Sequence, residues 1–118
     1  MRFHVVSLPH SQTTKEYDTC AFTAKVRKFC DMMSSLGHEV ILYAGDENEA
    51  KVEQLVTCIT REEQRDLGLP GAERVFDASF DSGAPQWVLF GRRVAASLSA
   101  LKQPGDFLCL MSNPLGGA

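Results

Sequence analysis

The residues of this chain best suited to chemistry lie in one polar stretch, His10-Ser11-Gln12-Thr13-Thr14-Lys15-Glu16-Tyr17-Asp18, directly after an apolar run over residues 3–8 and Pro9. Hydroxyls, an imidazole and a carboxylate together offer the donors and acceptors that recognition of a polyhydroxylated ligand needs. His10, Thr13, Thr14, Tyr17 and Asp18 are therefore the candidate substrate-binding residues. His10 is also the candidate general base, since an imidazole titrates near neutrality. A solvated loop ending in a helix cap is the competing reading of the same residues. His4 and His38 fall at strand positions and are expected to be structural. Asp46 and Glu47 follow a second apolar run, and at the same end of a parallel sheet they would either contact a ligand or be simply solvated.

Several other chemistries are not encoded. No G-x-G-x-x-G follows the first apolar run and no G-x-x-x-x-G-K-[ST] occurs, so the dinucleotide and P-loop fingerprints are missing. Gly116-Gly117 has no helix after it to present amides to a phosphate. Ser11, Ser34 and Ser79 lack the strand-turn-helix context of a nucleophile elbow. Cys20, Cys30, Cys58 and Cys109 form no C-x-x-C pair and have no histidine at metal-ligand spacing. They are expected to be small buried hydrophobes, with no metal site and no cofactor held by the chain itself. The net charge of −3 argues against a general nucleic-acid binder. Lys25, Arg27 and Lys28, and again Arg92 and Arg93, read as solvated helix faces. No apolar run approaches the ~18 residues of a membrane span, and the first residues lack a signal-peptide cleavage site. No membrane span and a cytoplasmic location are the expectation.

The elements that must position these residues alternate between strand and helix. Residues 3–8 suit a buried parallel strand ended by Pro9. A helix is predicted to begin near Asp18 or Thr19, with Phe22, Val26, Phe29, Met33 and Leu36 on one core-facing stripe and Gly37 as its stop. Residues 38–45 make a second strand, completing a βαβ unit with a right-handed crossover. Residues 46–49 read as a surface loop or the start of a helical turn, and 55–59 as a third strand. Thr60 and Glu63 match a capping box opening a short helix through Leu67, broken by Gly68, Pro70 and Gly71. Residues 74–77 suit a short strand or an extended segment. Residues 85–102 make a longer helix with Trp87, Phe90, Val94, Leu98 and Leu101 facing the core and proline in the first turn. Residues 106–111 form a last strand. The expectation is a single-domain, Rossmann-like α/β three-layer sandwich with a mostly parallel sheet over residues 1–111, then a short tail, 112–118. In such a sheet ligands bind beyond the carboxyl ends of the strands, which singles out the loop after the first strand.

Three segments together carry a family resemblance: Met1-Arg2-Phe3-His4-Val5-Val6-Ser7-Leu8-Pro9-His10, then Thr19-Cys20-Ala21-Phe22-Thr23-Ala24-Lys25-Val26-Arg27-Lys28-Phe29, then Gly37-His38-Glu39-Val40. They resemble the amino-terminal domain of GT-B glycosyltransferases, especially a glycosyltransferase-like group of bacteria and their phages, and Asp106-Phe107-Leu108-Cys109-Leu110 fits the same domain. In that family two Rossmann-like domains face each other across a cleft, the first holding mainly the acceptor and the second a nucleotide sugar. The resemblance implies a sugar or glycosyl acceptor at the loop after the first strand. It further implies that these residues lack the donor-binding half and are catalytically incomplete without it, because transfer needs both substrates held in register. The alternative from the residues alone is a small flavodoxin-like or other Rossmann-like binding or interaction module, non-enzymatic, pairing through its sheet edge or the Trp87 helix.

Overall fold

Arg2–Val6 forms β1, Glu39–Gly45 β2, Gln54–Ile59 β3 and Phe107–Leu110 β4 of one sheet, in the order β3-β2-β1-β4. Every pairing is parallel, with His4 opposite Ile41 on one side and Leu108 on the other. Among the described residues the helices are α1 (Ala21–Ser35), α2 (Arg61–Asp66) and α3 (Pro85–Leu101), and Lys15–Tyr17 makes a 3-10 turn. This computed structural model describes residues 1–9, 11–18, 20–67 and 85–110. The expectations for residues 68–71, residues 74–77 and the tail 112–118 lie outside the described residues.

Alternation along the strands sends successive side chains to opposite faces. Val5, Val40 and Leu42 pack against Val26 and Cys30 of α1. Val6, Ile41 and Tyr43 pack against Phe90 and Val94 of α3 on the other face. The result is the expected three-layer α/β arrangement, with the sheet entirely parallel. α3 follows its predicted stripe: Trp87, Phe90 and Val94 are buried, with Leu98 and Leu101 partly so. The Thr60–Glu63 capping box is formed in both directions and opens α2 as expected.

α1 departs from its expectation in two ways. It starts later, with Cys20 at the cap position. Asp18, predicted as a cap, instead gives both carboxylate oxygens to Arg27 at 3.0 and 2.9 Å; Thr19 lies outside the described residues. The buried stripe is also rotated. Thr23, Val26 and Cys30 face the sheet, while Phe22 is 45% exposed and Leu36 66% exposed. Two contacts set that rotation: the Thr23 hydroxyl is bonded to Ser11 at 2.6 Å, and Phe29 meets Phe3 edge-on from the side. The helix stops as predicted. Gly37 takes a φ of 86°, its amide bonds to the Ser34 carbonyl, and the His38 amide bonds to Met33, which is the Schellman pattern.

The connection from β2 to β3 is unusual. Parallel neighbours are ordinarily joined by a dozen or more residues containing a helix. Here residues 46–53 make the return without one. Extended, they span roughly 26 Å, enough to travel the length of a strand of this size. Their second half runs along α1: Ala50 is buried in the α1-side core with Val52 packed beside it. The Lys51 amide donates to Asp31 at 2.8 Å and its carbonyl accepts from Ser34 at 2.7 Å. The helical turn considered for residues 46–49 does not form, because this stretch is drawn out between β2 and that seam.

Candidate functional site

The chain leaves β1 with one further ladder bond, Ser7 amide to Tyr43 carbonyl at 2.9 Å. Leu8 then enters a small core with Tyr17, Cys20 and Trp87. By composition the next residues are a polar loop, yet Ser11, Gln12 and Thr13 are each at most 1% exposed. Buried polar groups are tolerated when their hydrogen bonds are met, and here they are met in detail. The Gln12 carbonyl accepts from the Glu47 amide at 2.9 Å, and its NH2 donates to the Gln64 carbonyl at 2.8 Å. Gln64, on α2, returns its own NH2 to the backbone carbonyls of Pro9 and Ser11 at 2.9 and 3.1 Å. Thr13 donates to the Asn48 side chain, and its carbonyl accepts from the Glu49 amide at 2.8 Å. Gly45 makes room for this: a Cβ there would sit 1.9 Å from Gln12 Oε1. The loop after β1 is thereby fastened to α1, to the end of β2 and to α2.

The predicted site residues divide accordingly. Thr13 points inward to Asn48. Tyr17 is 2% exposed and belongs to the Leu8 core. Asp18 is engaged by Arg27. Thr14 is partly exposed, and its hydroxyl oxygen is buried without a hydrogen-bond partner. His10, the candidate general base, lies outside the described residues. Asp46 and Glu47 do reach the same sheet end. There the Asp46 carboxylate accepts from the Arg61 amide at 2.8 Å. The Arg61 guanidinium lies 5.6 Å over the Tyr17 ring and bridges Glu47 (2.7 Å) and Glu16 (2.6 and 2.8 Å). Arg61 holds the Glu16 carboxyl below its usual range, and the two glutamates raise the guanidinium further above its own. Arg61 thus ties two of these carboxylates with its guanidinium and a third with its amide, and the side chains act as braces between the loops.

Gln12 and Gln64 escape sequence reasoning, since neither carries a periodic signal. The one clue is a glutamine in the middle of a short helix otherwise made of charged residues.

A second polar chain crosses the sheet below this edge. His4 is fully buried, with Nε2 2.7 Å from Asp106 Oδ2 and Nδ1 2.7 Å from the Tyr43 hydroxyl. The carboxylate only accepts, so Nε2 donates to it, while Nδ1 and the Tyr43 hydroxyl share the second bond. Burial pushes the Tyr43 phenol up to about 12, which keeps it protonated. The Gln103 amide and then His4 hold the Asp106 carboxyl below its usual range. The order carboxylate–imidazole–hydroxyl is that of a proton relay, but His4 and Tyr43 are both 0% exposed and meet no substrate. The chain ties β4, β1 and β2 together, so the structural reading of His4 holds. His38 lies with Nδ1 3.2 Å from the Met1 amino group. Cys20, Cys30 and Cys58 are buried as expected and Cys109 is partly so. Burial pushes Cys30 up to about 12 and Cys58 up to about 11, leaving both as unreactive thiols.

Among the described residues, no helix is long and apolar enough to cross a membrane, and no three His, Cys, Asp or Glu side chains are grouped to hold a metal. No family model, curated protein or solved structure matches this chain. Function therefore rests on the geometry of the site. Because β2 and β4 flank β1 on opposite sides, the strand order reverses at β1, and in open parallel sheets such a reversal is where ligands bind, beyond the carboxyl ends of the strands.

Proposed function

We propose that these residues form the acceptor-holding domain of a glycosyltransferase-like protein, binding a sugar or glycosyl acceptor at the carboxyl ends of β1 and β4. The observation that carries this reading is the reversal of strand order at β1, next to a loop held rigid by Gln12 and Gln64. Rigid loops on a parallel sheet position ligand groups within the tolerance that recognition needs. The resemblance of the first strand, helix and Gly37-His38-Glu39-Val40 junction to GT-B amino-terminal domains supplies the substrate class. A nucleotide sugar would be the donor, held by a second domain that these residues do not provide. The bacterial or phage origin rests on the same resemblance, and a cytoplasmic setting is proposed alongside it. An amide-resolved NMR titration tests the proposal. A panel of mono- and disaccharides should shift residues 11–18, UDP-glucose should leave them unmoved, and no nucleotide should be released. Release of nucleotide with sugar transfer refutes the division of labour, and an unshifted loop across the panel refutes the acceptor reading.

One observation favours the second reading, a non-enzymatic interaction module. Among the described residues β4 is an edge strand whose Phe107, Leu108 and Leu110 are all substantially exposed, and such an edge is a template for pairing with another chain.

A further inference from the structure

The two flanks of α1 are finished differently. Toward β2 and β3 the helix is sealed against residues 46–53 through Asp31 and Ser34, which bond the Lys51 backbone. Toward β4, Phe29 meets Phe3 with ring centroids 6.0 Å apart, and Phe3 stacks on Phe107 at 5.3 Å. Beside this aromatic floor, Ala21, Ala24, Lys25, Lys28, Phe29 and Met32 line a shallow, mainly apolar groove of about 460 Å³. Their spacing is that of one helical stripe, so the groove runs along α1. Met32 is 51% exposed and Phe107 45% exposed. Lys25 and Lys28 are exposed and have no ion-pair partner among the described residues.

Chirality and charge narrow what fits there. α1 reached its face on the step from β1 to β2, and α3 reached the opposite face on the oppositely directed step from β3 to β4. A further right-handed step outward from β4 would repeat the second direction and run over the α3 face. The groove beside α1 is thus not where this topology places its own next helix. A second copy fits poorly, because two-fold pairing of the groove would set its lysines against the same lysines, with no carboxylate in the lining to meet them. An acidic partner meets both conditions.

We propose that the groove along α1, on the flank where Phe29 meets Phe3, docks an amphipathic helix of a partner protein, apolar at i, i+3 or i+4, and i+7, with carboxylates along the border facing Lys25 and Lys28. The small Ala21 and Ala24 admit the helix closely, Phe29, Met32 and Phe107 receive its apolar side chains, and the lysines set its orientation. The inference is independent of the acceptor site, which lies at the carboxyl ends of the strands.

The test uses two labelled stapled helical peptides, one with leucines at the apolar positions and glutamates on the border, the other with lysines replacing the glutamates. Fluorescence anisotropy should show binding of the acidic peptide alone, weakening with added salt, and NMR shifts should fall on Ala24, Met32 and Phe107. The surface variant K25E/K28E, its fold checked by circular dichroism, should weaken the acidic peptide about tenfold and gain the basic one. Equal affinity for the two peptides, or no binding of the acidic one at millimolar concentration, overturns the proposal. So does a dimer of the chain alone that Met32→Glu dissolves, which would give the groove to a second copy.

Discussion

In the loop after β1, Ser11, Gln12 and Thr13 are at most 1% exposed, whereas in β4 Phe107, Leu108 and Leu110 are 45%, 39% and 40% exposed. The polar stretch is inside and the apolar strand is at the surface, opposite to what side-chain polarity alone would assign. The cause is different in each place. The loop is buried because Thr23, Gln64, Asn48 and the Glu47 and Glu49 amides hydrogen-bond Ser11, Gln12 and Thr13. β4 is exposed because, among the described residues, it is hydrogen-bonded on one side only, to β1. The first region is therefore closed by the chain's own polar groups, and the second keeps an open apolar edge among the described residues.

The largest effect expected from disturbing this contrast is at Gln64. Gln64→Leu leaves the Pro9 and Ser11 carbonyls and the Gln12 amide buried without partners, and urea unfolding should show a loss of about 3 kcal/mol. Next comes Gly45→Ala, which drives a Cβ into the Gln12 carboxamide and should cost about 2 kcal/mol. Combining it with Gln12→Ala should cost less than the sum of the two single changes, since both act on one contact. Additive losses would show that the Gln12 side chain does not define the loop.

A smaller effect concerns the helix that presents Gln64. Its neighbour Glu63 forms a two-pronged pair with Arg93, 2.7 Å at each prong, and Arg93 followed by the Thr60 backbone amide depresses the carboxyl to about 2. The folded value lies below the unfolded one, so this stabilisation is complete above the ordinary carboxylate range and fades as pH falls from about 4.5 toward 2. With Glu63 about one-third exposed, solvent screening limits it to about 1 kcal/mol. Comparing urea midpoints at about pH 6 and about pH 3, Arg93→Leu should lose less stability on acidification than the parent chain. An unchanged acid limb would show that the pair contributes nothing to the pH dependence.

The smallest stability effect is expected at the exposed edge. Leu108→Lys should change unfolding by no more than about 0.5 kcal/mol, while sedimentation should show any self-association of the parent weakened. A large loss of stability instead would mean that Leu108 is covered within the chain.

How much of this is legible in the sequence depends on whether a signal is periodic. The βαβ pattern, the α3 stripe, the capping box and the Gly37 stop all follow from local spacing, and the structure bears them out. The α1 stripe lies one step away from its expected place, because Phe22 and Leu36 are the more apolar residues while Thr23 and Cys30 fit the space over the sheet. The Gln12–Gln64 contact spans 52 residues and joins two short irregular pieces, so nothing in the local pattern of either announces it. Of the candidate site residues, sequence places the loop correctly at the carboxyl end of β1. It does not reveal that Thr13 and Tyr17 are spent on holding that loop in place.

The helix-free return from β2 to β3 also bears on the order in which the chain assembles. The entropy of closing a loop rises with its length, and residues 46–53 bring their two strands together across a far smaller gap than the one separating β1 from β4, whose paired residues Phe3 and Phe107 are 104 positions apart. β2 and β3 are thus positioned to meet early, as a nucleus on which β1 and α1 settle. β4 has the longest loop to close, and the His4–Asp106 bond adds a side-chain tie to the pairing of its four residues.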